Sequence, residues 1–307
     1  MRIFSPCPRR VLTGFLCCIL LITVLPLQIT AKGNVGGSSP IGGGKSGLVN
    51  ILLIGQDRRE SETTGRSDSI ILCSFNPNEK KIIITSFLRD LYVEIPDHQN
   101  NRLNAAYAFG GMDLLKQTMT HNFDLYIDGC IEADFSHFPQ IIDTLGGVSI
   151  DLRQDEADAV NQAVPGSLTE GICLLSGDQA LAYSRIRNLD SDGDFSRTQR
   201  QRKLIFSLLD SYHSADLLTI LSVIADTLPM VTTSFSKRQI ISLASRLFPL
   251  LDSPEIISQR IPSDGNYTYE TIRNMEVLTA DMEAIRRQLR HTLCDTEKNA
   301  IGNQFSS

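Results

Sequence analysis

The chain has 307 residues, of which 42% are hydrophobic and 21% charged, and its formal net charge is -6. Length and apolar content allow one large packed domain or two of ordinary size, and they fit no disordered class. The acidic balance excludes a protein that binds by neutralising many nucleic-acid phosphates, so nucleic acid is not among the expected partners.

Arg2, Arg9 and Arg10 precede an uncharged apolar run over residues 11–31, which is long enough to span a bilayer. Ile29-Thr30-Ala31 makes a poor cleavage site. The run therefore reads as a transmembrane signal-anchor, with a removed signal peptide as the alternative. The basic flank holds residues 1–10 in the cytoplasm and sends everything after Lys32 outward, which implies a single-pass cell-membrane protein with an extracytoplasmic domain. Residues 32–47, rich in Gly and Ser, read as a flexible tether. Within them Gly42-Gly43-Gly44-Lys45-Ser46 imitates a phosphate-binding loop, but Ser39 stands where the first glycine is needed and no strand precedes it.

From Leu48 short apolar runs at 49–54, 70–75, 81–87 and 91–95 predict strands. Asn76-Pro77-Asn78-Glu79 joins the second and third as a hairpin. Helical spacing follows at 112–121 and 135–145, then Gly146-Gly147 and a strand at 148–152. Residues 199–210, 214–228, 237–251 and 280–293 predict helices. The fold class expected is α/β (α+β): a central mixed β-sheet flanked by helices, in one domain over residues 48–295, with a tail at 296–307.

Two acids, Asp57 and Asp68, stand at strand ends, where ligand groups collect and where two carboxylates with phosphate oxygens and waters would suit a magnesium ion. Solvated loop acids are the bland alternative. Arginines are unusually many nearby in sequence: Arg58, Arg59, Arg66, Arg89, Arg102, Arg185, Arg187, Arg197, Arg200 and Arg202. Arg185 and Arg187 share one side if 183–187 is extended. Converging guanidinium groups match phosphate geometry and imply a polyanionic ligand, although any one of them could be a surface ion pair.

Asp190-Ser191-Asp192-Gly193-Asp194 fails as a calcium loop, since its glycine is misplaced and Gln201 occupies the position of the bidentate acid. The five histidines show no metal-ligand spacing, and no Gly-x-Ser-x-Gly elbow is present. Cys73, Cys130, Cys173 and Cys294 are too widely spaced for a zinc site, and the sequence leaves open whether they pair or stay thiols.

Taken in order, segments 50–57, 65–68, 86–90, Asn104-Ala105-Ala106-Tyr107, 143–148, 175–187 and 192–201 resemble the LytR-CpsA-Psr family. The resemblance covers about 48–210 closely and reaches Arg260-Ile261-Pro262 and the last helix more loosely. It implies a phosphotransferase that moves a polyprenyl-pyrophosphate-linked glycopolymer, such as a teichoic acid or capsule, onto peptidoglycan and releases undecaprenyl phosphate. Pyrophosphate cleavage would be a side activity.

In the terms of that family Asp57 and Asp68 would hold Mg2+ or Mn2+, with Arg89 as a catalytic partner. Arg59, Arg89, Arg102, Arg185, Arg187, Arg197 and Gln201 would grip the pyrophosphate, and the lipid would lie between sheet and helices. Leu88 stands where the family usually has proline, Arg102 where it has lysine and Ser196 where it has glycine. A non-catalytic lipid-pyrophosphate-binding or regulatory membrane protein is the rival reading. No basic recognition helix supports the regulatory version.

Overall fold

The computed structural model of the chain describes residues 47–57, 66–187, 189–190, 194–212 and 215–294, the side chains of Asp57, Arg66 and Asp194 excepted. The expected anchor at 11–31, Arg58, Arg59 and the tail at 296–307 lie outside the described residues. No helix among those described is long and apolar enough to cross a membrane. The chain forms two compact units, interleaved along the sequence, whose described parts are 135–232 with 237–253, and 47–134 with 233–236 and 254–294.

The second of these units holds the mixed sheet, except that the last edge strand takes Val231 and Thr232 from the first. Strands β1 (Val49–Asp57), β2 (Arg66–Asn76) and β3 (Lys81–Phe87) run antiparallel to one another. The expected hairpin between β2 and β3 is present, with Asn76 opposite Lys81 and Lys80 at φ 51 in the turn. All three strands are apolar over continuous stretches because both sheet faces are covered, and Ile51, Leu52, Leu72 and Ile84 are fully enclosed. The predicted strand at 91–95 shrinks to β4 (Tyr92–Val93), paired with β5 (Asn101–Arg102).

Parallel pairing adds β6 (Gly129–Asp134) beside β1. At the edge beyond β6 lies β9 (Val231–Thr233), numbered after β7 (Val148–Leu152) and β8 (Gly171–Leu175) of the other unit. At the opposite edge β10 (Glu255–Ile261) pairs in parallel with β3, giving the order β10-β3-β2-β1-β6-β9. Helix α1 (Leu103–Phe123) packs Phe123 against Phe87, with ring centroids 4.8 Å apart. It is broken at Gly110 and Gly111, the latter at φ 64 and ψ -153, a conformation open to glycine alone. Hairpin β11 (Thr268–Ile272) with β12 (Met275–Thr279) and helix α8 (Met282–Cys294) complete this unit.

The other unit is built on the antiparallel pair β7 and β8, with helices α2 (Phe138–Thr144), α3 (Gln154–Ala163), α4 (Gly177–Arg185), α5 (Asp194–Asp210), α6 (Leu217–Thr227) and α7 (Lys237–Leu247). One expectation is corrected here. Residues 183–187 are not an extended run, because Arg185 closes α4 and only Ile186 turns to φ -59, ψ 127. The helix starts at a capping box in which Ser176 accepts from the Gln179 amide and the Gln179 side chain accepts from the Ser176 amide.

Candidate functional site

Asp68 is placed by a fault in pairing. Gly55 faces Ser69 and Gln56 faces Ser67, so Asp68 is the extra residue of a bulge. A bulge re-aims the side chain it carries, and it explains why an acid sits inside an otherwise paired strand. The Asp68 carboxylate accepts a hydrogen bond from Arg89 Nη1. Asp57 ends β1 opposite Arg66, so the backbone puts the two acids on neighbouring strands and within two register positions.

Arg89 follows β3, and its backbone is held on several sides. The Leu88 amide donates to the Ile261 carbonyl at 2.9 Å, and the Arg89 carbonyl accepts from the Asn104 amide at 3.0 Å. Asp90 then stands between two cations, 3.6 Å from Arg89 Nε and 3.4 Å from Arg102 Nη1. Arg102 Nε donates to the Glu276 carbonyl at 2.8 Å, which holds the guanidinium in place. The side chains of Asp68, Arg89, Asp90 and Arg102 keep between 21% and 29% of their surface exposed, so a ligand can reach them from solvent. Tyr107 hydroxyl donates to Gln56 Oε1 at 2.9 Å, tying the Asn104–Tyr107 motif back to β1.

In the other unit Arg185 and Arg187 line one open pocket of about 690 Å³, whose floor includes Ala159, Val164, Leu181 and Ile186. Arg185 lies 5.2 Å over the ring of Phe135, an arrangement that favours the cation. Arg197 and Gln201 sit one turn apart on α5, Arg197 buried and Gln201 half-buried. The structure thus brings Asp68, Arg89 and Arg102 together, and separately Arg185 with Arg187; Arg59 falls outside the described residues.

Sequence reasoning passed over the ionic network beneath Arg187. Arg200, 4% exposed, donates through Nε to Glu156 at 2.8 Å, through Nη1 to the Ile186 carbonyl at 3.3 Å, and through Nη2 to Asp190. Arg153 reaches Asp190 as well, at 3.1 Å. The hydrogen bond from Arg200, helped by Arg153, holds the Asp190 carboxyl below the usual carboxylate range. Arg200 thus ties Ile186, the residue before Arg187, to Asp190 and Glu156. The Asp143 carboxylate does the like for α4, accepting from the Gly177 amide at 2.7 Å.

A mixed sheet with flanking helices, and beside it an exposed cluster of arginines and carboxylates, define an α/β protein. Residues 31–291 match the LytR_cpsA_psr family model, and the chain belongs to that family. It is 39% identical over 186 residues to the Oceanobacillus iheyensis polyisoprenyl-teichoic acid--peptidoglycan teichoic acid transferase TagU, covering 59% of this chain and 56% of that protein. It is 34% identical over 256 residues to the TagU of Bacillus mycoides strain KBAB4, covering 80% and 79%. The solved structure of TagT bound to LI-WTA matches with a TM-score of 0.64 at 25% identity, over 81% of this chain and 92% of that one.

Proposed function

We propose that the chain is a membrane-anchored phosphotransferase that attaches a polyprenyl-pyrophosphate-linked glycopolymer to peptidoglycan. The observation that carries this reading is the array in which Arg89 meets bulged Asp68 and shares Asp90 with Arg102. It stands in a chain 34% identical to a protein named as a teichoic acid transferase. Phosphoryl transfer asks a protein mainly for positioning and charge neutralisation, and this array is suited to both. Arg89 and Arg102 donate to phosphate oxygens while Asp90 keeps their guanidinium planes oriented. The likeness to the family makes Arg59, Arg185, Arg187, Arg197 and Gln201 further candidates for contact with the pyrophosphate.

Asp68 and its register neighbour Asp57 fit a magnesium or manganese ion, since both offer hard oxygen donors and such an ion commonly takes one or two carboxylates with phosphates and waters. When bound, the ion would neutralise charge on the pyrophosphate. Arg89 then has a double part: it balances the Asp68 carboxylate in the empty protein and turns to phosphate when the donor enters. The acceptor hydroxyl attacks phosphorus in line, and the polyprenyl phosphate leaves. The run at 11–31 keeps the catalytic domain at the outer membrane face, where a lipid-linked donor is found.

The test is transfer, or cleavage of the pyrophosphate bond, by the purified full chain with Asp57→Asn, Asp68→Asn and Arg89→Ala, with and without chelator. Each Asn variant and the chelated protein should lose transfer. Arg89→Ala should weaken donor binding by about 2–5 kcal/mol, with lysine restoring only part of it. Full activity of either Asn variant, or in excess chelator, contradicts the metal site.

A further inference from the structure

Hairpin β11–β12 is bolted to the arginine array. The Leu278 amide of β12 donates to the Asp90 carbonyl at 2.9 Å, and Arg102 Nε donates to the Glu276 carbonyl of the same strand at 2.8 Å. Arg273 and Asn274 make its turn at φ 51 and 59, the left-handed pair that a two-residue hairpin turn demands. β12 is therefore fixed by its neighbours and β11 rides on it, with Tyr269 opposite Leu278.

Two tyrosines stand at the start of the outer strand, Tyr267 half-buried and Tyr269 exposed. Tyr267, just before β11, and Tyr269 within it bring their ring centroids to 5.7 Å with planes at 88°, an edge-to-face contact. Tyr269 is 71% exposed. A tyrosine left this open gains little from burial, yet its neighbour holds the ring in a defined orientation. The opposite face of the hairpin packs inward through Val277, which is buried, and carries Ile272 and Met275; toward its open end the Thr268 and Thr279 hydroxyls lie 2.7 Å apart, and Thr279 donates to Glu270 at 2.7 Å.

We propose that Tyr267 and Tyr269 form a ledge that binds the glycan strand of the acceptor beside the arginine array. The proposal rests on the transferase reading. A pyranose ring offers an apolar face of C–H groups and an equator of hydroxyl and acetamido groups, which matches an aromatic face with a wet hydroxyl tip. Tyrosine also presents that area with few torsions to fix, so it binds at low entropic cost. The ledge is an open strand edge and not a pocket. That shape suits a strand of sugar polymer still embedded in a wall, whereas the donor is held at its charged end by the arginines.

The protein has no tryptophan, so Tyr269→Trp installs a single reporter that keeps an aromatic face. Full chain in detergent is titrated with an uncrosslinked peptidoglycan oligosaccharide, and separately with octaprenyl pyrophosphate. Tyr269→Ala should weaken oligosaccharide binding about tenfold, the loss of one anchoring aromatic contact, while Tyr269→Phe and Tyr269→Trp stay near wild type. All three should bind octaprenyl pyrophosphate as wild type does, and emission of Tyr269→Trp should shift with oligosaccharide only.

Wild-type oligosaccharide affinity in Tyr269→Ala overturns the ledge. So does an emission response of Tyr269→Trp to a glycan-bearing lipid donor with none to free oligosaccharide, which would place the donor's sugars there. Arg89→Ala separates the two readings. It should lose octaprenyl pyrophosphate and keep the oligosaccharide, so retention of the lipid would sink the transferase reading without touching the ledge.

Discussion

A guanidinium that is almost wholly enclosed, as Arg200 is, leaves its charge to be satisfied by the protein alone. Glu156 and Asp190 do so, and the Ile186 carbonyl takes another donor. Arg200→Met leaves the buried Glu156 carboxylate without its partner, and breaking such a pair from one side costs about 3–5 kcal/mol. Asp190 supplies a pH handle. Its carboxyl is held low in the folded chain, chiefly by Arg200, so its stabilisation is complete above the unfolded value near 3.9 and is lost as pH falls further. The difference in melting temperature between wild type and Asp190→Asn should accordingly be widest near about pH 6 and narrow as pH falls below about 3.9. A gap that is constant across that range would show that Arg200 does not depend on Asp190. In sequence, Asp190 is one of several acids in a failed calcium loop; its worth depends on Arg153 and Arg200, 37 and 10 residues away. Asp68 was legible as an acid near a strand, but its bulge was not, since register is decided by the partner strand.

Helix α4 transmits position along its length. Its first residue, Gly177, packs against α2 so closely that a Cβ would lie 2.0 Å from the Pro139 carbonyl oxygen. Its last residue, Arg185, is eight positions along the same rigid element. Gly177→Ala should therefore destabilise by about 1–3 kcal/mol, as overpacking does, and should also lower affinity for octaprenyl pyrophosphate by moving Arg185. Denaturant unfolding and lipid titration read the two effects, and unchanged lipid affinity in the folded variant would separate Arg185 from the donor. The start of α4 was available in the sequence as Ser176-x-x-Gln179, a capping box that marks a helix. Reading 183–187 as extended overlooked it. The strands β1 to β3 were legible because both faces are buried and their apolar runs are unbroken. β6 was not, since Glu132 and Asp134 interrupt a six-residue strand whose Gly129 is required by the Phe235 ring lying where a Cβ would go. Similarly, Gly110 and Gly111 disguised the first half of α1, leaving only 112–121 with visible helical spacing.

At the scale of the whole chain the proposed anchor fixes where the chemistry happens. Protease added to intact protoplasts should digest residues after the span while leaving a short membrane-bound stub; protection of the domain, or a mature chain beginning near Lys32, refutes the anchored reading. The order of the sheet bears on how such a chain matures. β3, which delivers Arg89, has β2 on one side and β10 on the other, and β10 is made of residues more than 160 positions later. The Ile261 carbonyl at the end of β10 is also what accepts the Leu88 amide. Until Glu255–Ile261 has emerged, the arginine-bearing strand is an open edge, able to pair with whatever β-strand it meets first. A ribosome or translocon that releases this polypeptide from its N-terminus outward therefore delivers the hands before the wrist that steadies them. Strand β10 thus acts as a timer that withholds a competent site until its own residues have been made.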